Sequence, residues 1–204
     1  MANGKIFKKM NYKLKKISGD ASFREFYRIQ KDKKSTIIVF ANKDKYKNLI
    51  VYSAVNKILN QNKILAPKLI SNFIKNNMME ISDLGKISFF DFIKKKKDKT
   101  KEYKKVIDLI IKIQKIKLKS NYKYNKKNIK FKRYSISQLH KESDLFFDWY
   151  LKSIIPKKKL IKVKFKIKKE LNNIYKKLYL KNTYFTHRDF HASNIMIDNK
   201  KLGI

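Results

Sequence analysis

The sequence predicts an α+β protein, with a small lobe built on an antiparallel sheet followed by a mainly helical region. Two observations predict it. Strand-like patterns fill residues 12–40 and return at 68–72 and 78–81, whereas from Ser88 onward apolar residues recur at steps of three and four. The composition allows a real core: of 204 residues, 43% are hydrophobic and 13% aromatic, too rich in Phe, Tyr, Ile and Leu for a disordered basic tail.

Each element has its own signal. Phe23, Phe26 and Ile29 alternate with polar residues, a Lys/Asp turn follows at 31–34, and Ile37, Ile38, Val39 and Phe40 form a second apolar strand, which together read as a hairpin. Leu49, Tyr52, Val55 and Leu59 sit at helical spacing in a helix that must stop before Pro67. Strands at 68–72 and 78–81 complete the small lobe, and its boundary falls near 83–88, giving domains 1–85 and 86–204. Beyond it, Val106, Ile110, Ile113 and Lys117 share one stripe of a helix with Thr100 as N-cap. The polar stretch 120–132 reads as a long surface connection. A helix is expected across 142–154. Another is expected from 157 to 180, where the long stripe Leu160, Val163, Ile167, Leu171, Ile174 and Leu178 outweighs a local strand-like alternation at 162–168. The last segment reads as a loop, a short strand at 195–197, a turn at 198–200 and a strand beginning at Leu202.

A formal charge of +37 would by itself suggest nucleic acid or an anionic membrane surface. The pattern argues otherwise. Only Arg24, Arg28, Arg133 and Arg188 are arginines among 53 basic residues, and the lysines run along the whole chain beside abundant Ile and Asn. Nucleic-acid readers more often cluster Arg with stacking aromatics. Without Cys there is no disulfide framework or thiolate metal site. The N-terminal residues lack the apolar stretch of a signal peptide, and no run approaches the roughly 18 apolar residues of a membrane span. A soluble, cytoplasmic, monomeric protein is the expectation.

The strongest chemical signal is His187-Arg188-Asp189-Phe190-His191-Ala192-Ser193-Asn194, which fits the kinase catalytic-loop pattern H-x-D-x-x-x-x-N. Phosphoryl transfer needs a carboxylate to orient the attacking hydroxyl and take its proton, and an oxygen ligand for the magnesium that bridges the phosphates. Asp189 suits the first role and Asn194 the second, because four intervening residues let one loop return both side chains to the same place. A surface loop in which Asp189 or Asn194 merely caps a turn is the bland alternative. Against it, two of the three His and one of the four Arg in the chain fall within these eight residues.

Two weaker signals accompany it. The run Ser18 to Arg28 opens a hairpin with small residues whose N–H groups can donate to a triphosphate. Arg24 and Arg28 lie four apart on an extended strand, hence on one side, where they can pair with acids instead of touching phosphate. Met78 to Gly85 is an apolar strand leading into Asp83-Leu84-Gly85, the kind of passage that offers backbone hydrogen bonds to a base, or simply a hairpin exit.

Taken in order, GDASFREFYRI, an apolar strand, a helix, LAPKLI, DLG, LFFDWYL and THRDFHASNIMIDNKKLGI resemble the N-acetylmuramate/N-acetylglucosamine anomeric kinases of the aminoglycoside phosphotransferase and choline kinase-like superfamily. The resemblance covers nearly the whole chain. It implies a protein-kinase-like bilobal fold with an incomplete C-terminal lobe, ATP and Mg2+ as cofactors, and transfer of the γ-phosphate to an amino sugar in peptidoglycan recycling. It implies Asp189 as catalytic base and Asn194 as metal ligand. It further implies Gly19, Asp20, Ala21, Ser22 and Phe23 as the phosphate loop, Asp83, Leu84 and Gly85 as the hinge, and 144–151 as part of the acceptor site. No Lys stands in 37–40 to serve as the phosphate-binding lysine. Such kinases also carry a second metal-binding Asp just after the strand at which this sequence ends. That Asp would fall beyond Ile204, so the 204-residue chain is expected to have little activity. The rival readings are a basic nucleic-acid-binding module and a non-catalytic kinase-like protein.

Overall fold

The computed structural model describes residues 13–17, 24–31, 34–42, 47–118, 121–131, 133–180 and 184–204. Strands β1 (Lys13–Ile17), β2 (Arg24–Lys31) and β3 (Lys34–Ala41) form a meander, helix α1 (Lys47–Gln61) follows, and β4 (Leu69–Phe73) and β5 (Met78–Ser82) complete a sheet of order β1-β2-β3-β5-β4. All its pairings are antiparallel. The predicted hairpin is β2–β3, with Phe26 opposite Val39 and Arg28 opposite Ile37.

One face of this sheet makes a core. Ile37, Val39, Ala41, Met79 and Ile81 pack with Leu49 of α1, with Phe26, Tyr52 and Leu69 at the margin. Val39, Met79 and Leu49 are wholly enclosed, as the period-two pattern requires of residues 37, 39 and 41 on one side of a strand. Helix α1 stops at Gln61, six residues before Pro67. Lys63 has positive φ and the Ile64 N–H reaches back to the Leu59 carbonyl, which closes the helix end.

Helices α2 (Phe89–Lys94) and α3 (Thr100–Gln114) come next. Ser88 caps α2 by accepting from the Asp91 N–H at 3.1 Å, and Phe89 meets Tyr103 edge-to-face at 5.5 Å. The inner face of α3 is Leu109 and Ile113, continued by Ile116 just past the helix. Lys117, expected on the stripe, is exposed. The expected N-cap is corrected: Thr100 is already helical, and its N–H is taken by Asp98 Oδ1 at 2.8 Å, because a carboxylate two residues upstream can satisfy a free N–H of the first turn.

The stretch 120–132 is not a plain connection. It holds a hairpin, β6 (Asn121–Tyr124) and β7 (Lys127–Lys130), turning through Asn125 and Lys126, both at positive φ. Tyr124 and Ile129 are buried, and the Tyr124 hydroxyl lies 2.5 Å from Ser53 Oγ. Apolar residues at 122, 124, 129 and 131 supply the strand period that the polar composition masks.

The helix expected across 142–154 begins earlier. Helix α4 (Ile136–Leu145) starts at a Ser135 cap that accepts from the Gln138 N–H at 3.2 Å, passes into a π-helical turn at Phe146–Leu151, and ends in a short turn at Lys152–Ile154. Helix α5 (Lys157–Lys177) is helical throughout 162–168, in agreement with the long stripe, and stops at Lys177. Strands β8 (Met196–Asp198) and β9 (Lys201–Gly203) form the terminal hairpin.

Among the described residues, these elements fall into two compact units: one holds those within 13–118, 123–129 and 184–204, the other 121–122 and those within 130–180. Among the described residues, no helix is long and apolar enough to cross a membrane.

Candidate active site

The loop between His187 and Asn194 is shaped by a reversal at Arg188, whose φ of 67° is in the left-handed region. A non-glycine residue held there costs about 1 kcal/mol or more and is typical of functional loops. The next turn is a 3-10 segment at Ala192–Asn194, closed by the Asn194 N–H on the His191 carbonyl at 3.0 Å. Together the two bends bring 189 and 194 side by side. Asn194 Nδ2 donates to the Asp189 backbone carbonyl at 3.0 Å and to its Oδ2 at 2.9 Å. His191 Nε2 lies 3.4 Å from Asp189 Oδ1.

The loop serves an exposed carboxylate. The Asp189 side chain is 72% exposed, so its oxygens are open to an incoming hydroxyl. His187 is half-buried against Phe190, rings edge-to-face at 6.0 Å. Burial pushes its imidazole below the ordinary range, against the smaller upward pull of Asp189. It is therefore neutral near pH 7 and supports the loop without adding charge.

The loop is anchored through the strand that follows it. Ile195 is buried, its carbonyl accepts from the Phe89 N–H at 2.7 Å, and the Ile197 N–H donates to the Ile87 carbonyl at 2.9 Å. On β9, Gly203 sits where a Cβ would come within 2.8 Å of Leu84 and 3.2 Å of Leu65. A side chain at 203 would have to displace both leucine side chains. The terminal hairpin is thus stitched to the passage 84–89.

That passage has a built start. Arg28 grips Asp83 with Nε on Oδ2 at 2.5 Å and Nη2 on Oδ1 at 2.9 Å, and Nη2 also donates to the Gly85 carbonyl at 2.6 Å. Ser35 Oγ donates to Asp83 Oδ2 at 2.7 Å and the Gly85 N–H to Oδ1 at 2.9 Å. Burial raises the Asp83 carboxyl, but these donors outweigh it and hold it below the usual carboxylate range. Gly85 bends the chain with φ 95°.

A model of the phosphotransferase enzyme family matches residues 13–204. The chain belongs to that family. Phosphotransferase structures also match it in shape. Aminoglycoside phosphotransferase APH(4)-Ia superposes with TM-score 0.58 at 10% identity over 98% of this chain and 68% of its own. Spectinomycin phosphotransferase APH(9)-Ia, solved with ADP and spectinomycin, gives 0.56 at 14% over 98% and 66%. Choline kinase from Cryptosporidium parvum Iowa II gives 0.56 at 13% over 97% and 59%. The fold is therefore kinase-like, and the chain spans 59–68% of the length of these structures. No curated protein matches the sequence at a significant level.

Within this phosphotransferase, Asp189 and Asn194 stand together as the spacing implied. Asp83, Leu84 and Gly85 form a fixed bend, with the Asp83 side chain and both backbone groups of Gly85 committed to internal bonds. Gly19, Asp20, Ala21, Ser22 and Phe23 lie outside the described residues. The stretch 144–151 is largely the π-helical turn, with Phe147 and Leu151 buried and Trp149 exposed, tied to α5 by Asp148–Lys164 at 2.9 Å and Asp144–Lys168 at 2.5 Å. Sequence reasoning did not find the Arg28–Asp83 pair, although it left Arg28 free to meet an acid.

The side-chain oxygens of Asp189 and Asn194 are of the type that suits a hard cation such as Mg2+, and the Asn194 amide nitrogen is spent on Asp189. Ile204, after which the resemblance puts the second metal-binding Asp, is no ligand itself. Its aliphatic side chain has no donor atom for a cation, and its N–H is spent on the Leu65 carbonyl at 2.9 Å, where it ties the end of β9 to the segment ahead of β4. Among the described residues there is no group of three or more His, Cys, Asp or Glu able to hold a metal alone. Two surface hollows of about 410 and 460 Å³ lie elsewhere, one lined by Asn72, Phe73, Lys75 and Asn125, the other by Asp148, Trp149, Lys152 and Ser153.

Proposed function

We propose that this protein is an ATP-dependent kinase of a small-molecule hydroxyl, and that its acceptor is an amino sugar of the N-acetylmuramate or N-acetylglucosamine type released in cell-wall recycling. The observation that carries the reading is the Asp189–Asn194 pair, 2.9 Å apart across a loop bent at Arg188. Family membership supports the reaction class, and the order of motifs from GDASF to THRDFHASN supports the acceptor class.

In this reading the acceptor hydroxyl meets the exposed Asp189 carboxylate, which orients it and takes its proton as the phosphoryl group arrives. Asn194 fixes one carboxylate oxygen, and its Oδ1 would help hold Mg2+. Bound Mg2+ would supply charge neutralisation for the transferring phosphoryl group. Neutral His187 packs behind the loop. Residues 1–85 would hold the nucleotide, with the turn 19–23 at its phosphates and 83–85 beside its base, and 86–204 would carry phosphoryl transfer. The protein would work in the cytoplasm as a monomer without a nucleic-acid partner.

The test uses the protein with ATP, Mg2+ and three acceptors: N-acetylmuramic acid, N-acetylglucosamine and an aminoglycoside. Phosphorylation of the amino sugars, abolished by Asp189→Ala, is the expected result. Transfer to the aminoglycoside alone would overturn the acceptor assignment. Tight, steeply salt-dependent nucleic-acid binding without any transfer would favour the basic-module reading.

A further inference from the structure

We propose that Arg28 is a positioning residue for phosphoryl transfer, acting through Asp83 and Gly85 to set the strand that carries the catalytic loop. The inference rests on the kinase reading above. Arg28 lies on β2, far from Asp189 in sequence, and its part comes through a continuous series of bonds.

The first step is the clamp itself. The Arg28 and Asp83 side chains are only 14% and 4% exposed, so their attraction is little screened. The guanidinium uses its planar fork on both carboxylate oxygens and turns the remaining reach of Nη2 to the Gly85 carbonyl. Ser35 from β3 and the Gly85 N–H fill the other acceptor sites of the carboxylate. Two strands of the sheet and the bend after β5 are thereby locked in one arrangement. A lysine could neutralise Asp83, but a point charge cannot bridge two carboxylate oxygens and a carbonyl in one plane.

The second step is transmission. Gly85 leads directly into Ile87 and Phe89, whose backbone groups pair with Ile197 and Ile195 at 2.9 and 2.7 Å. These two backbone hydrogen bonds are the links by which a shift of the bend would reach β8. Ile195 is covalently next to Asn194, which holds Asp189. A displacement of about 1 Å in reacting groups can cost on the order of 100-fold in rate. Holding the start of this passage therefore sets the end of it.

The experiment compares full-length wild type with Arg28→Lys and Ser35→Ala, measuring kcat per titrated active site, KM for the acceptor, the Mg2+ concentration for half-maximal rate, and Tm. Arg28→Lys is expected to lower kcat about tenfold and to raise the Mg2+ requirement several-fold, because Asn194 moves with β8, while the acceptor KM stays near wild type. Ser35→Ala, which removes one neutral donor, is expected to lower kcat about threefold and keeps the test alive should Arg28→Lys not fold. A purely structural clamp would lower Tm and the fraction of active molecules but leave kcat per active site and the Mg2+ requirement unchanged. That result overturns the inference while leaving the kinase reading intact. Absence of transfer by wild type on any acceptor would remove the kinase reading and the inference with it.

Discussion

Asp83 and Asp189 are the same residue type in the same compact unit, and the fold treats them in opposite ways. Asp83 is 4% exposed, gripped by a bidentate arginine, a serine hydroxyl and a backbone N–H. Asp189 is 72% exposed and is met by the Asn194 amide and, at longer range, by His191. A buried carboxylate with its acceptor sites filled has no capacity left for chemistry, whereas an exposed one steadied by an amide retains it. On the proposed kinase reading the difference separates anchoring from reacting, and mutation tests it.

The largest effect belongs to the exposed residue. Asp189→Asn should lower kcat by about 10³-fold, within the range lost with a general base, while Tm stays within about 1 °C because little surface is buried there. A fall in Tm with activity retained would reverse the assignment. The buried residue should behave the other way. Asp83→Ala strands the Arg28 guanidinium in a half-closed site and should cost about 3 kcal/mol, read as a lower urea midpoint.

Acid should sharpen the contrast further. The folded Asp83 carboxyl lies below its ordinary value, so the unfolded chain binds a proton first. The stability that Asp83 contributes is complete above the unfolded carboxylate range near pH ~4, and is lost as pH falls toward the folded value. Asp83→Asn should therefore flatten the acid limb of the stability curve, whereas Asp189→Asn should leave that limb unchanged. His187 adds a milder slope of the same sign. Its folded pKa is depressed, so its contribution is present above about pH 6.5 and declines as pH falls below that. His187→Gln should remove this slope in urea titrations between pH 7 and 5. The smallest effect is at the surface: Lys164→Ala breaks an ion pair with the exposed Asp148 and should shift stability by less than about 1 kcal/mol.

What could be read from the sequence follows how far apart the cooperating residues lie. The loop 187–194 is legible because the residues it brings together lie within eight consecutive positions, and the sheet because residues 37–40 and 78–81 show their burial locally. The hairpin at 121–130 was hidden by its Lys and Asn content, although Tyr124 and Ile129 are its buried pair. The true start of α4 does carry a local signal, since Ser135 followed three residues later by Gln138 is a capping-box pattern. The π-helical turn at Phe146–Leu151 has no such signal, as a single wide turn inside a helix is marked by no residue type of its own. Arg28 and Asp83 are 55 residues apart; periodicity told which side of a strand Arg28 faces, and only the folded sheet told what it meets.

The most direct test of the central claim separates the two members of the catalytic pair by their response to metal. Rates of ATP-dependent transfer would be measured for full-length wild type, Asp189→Asn and Asn194→Ala across a Mg2+ titration. The account predicts that Asn194→Ala raises the Mg2+ concentration for half-maximal rate by about tenfold or more, and that Asp189→Asn lowers the maximal rate with the Mg2+ requirement nearly unaltered. Identical Mg2+ curves for all three proteins, or full activity in Asp189→Asn, would contradict it.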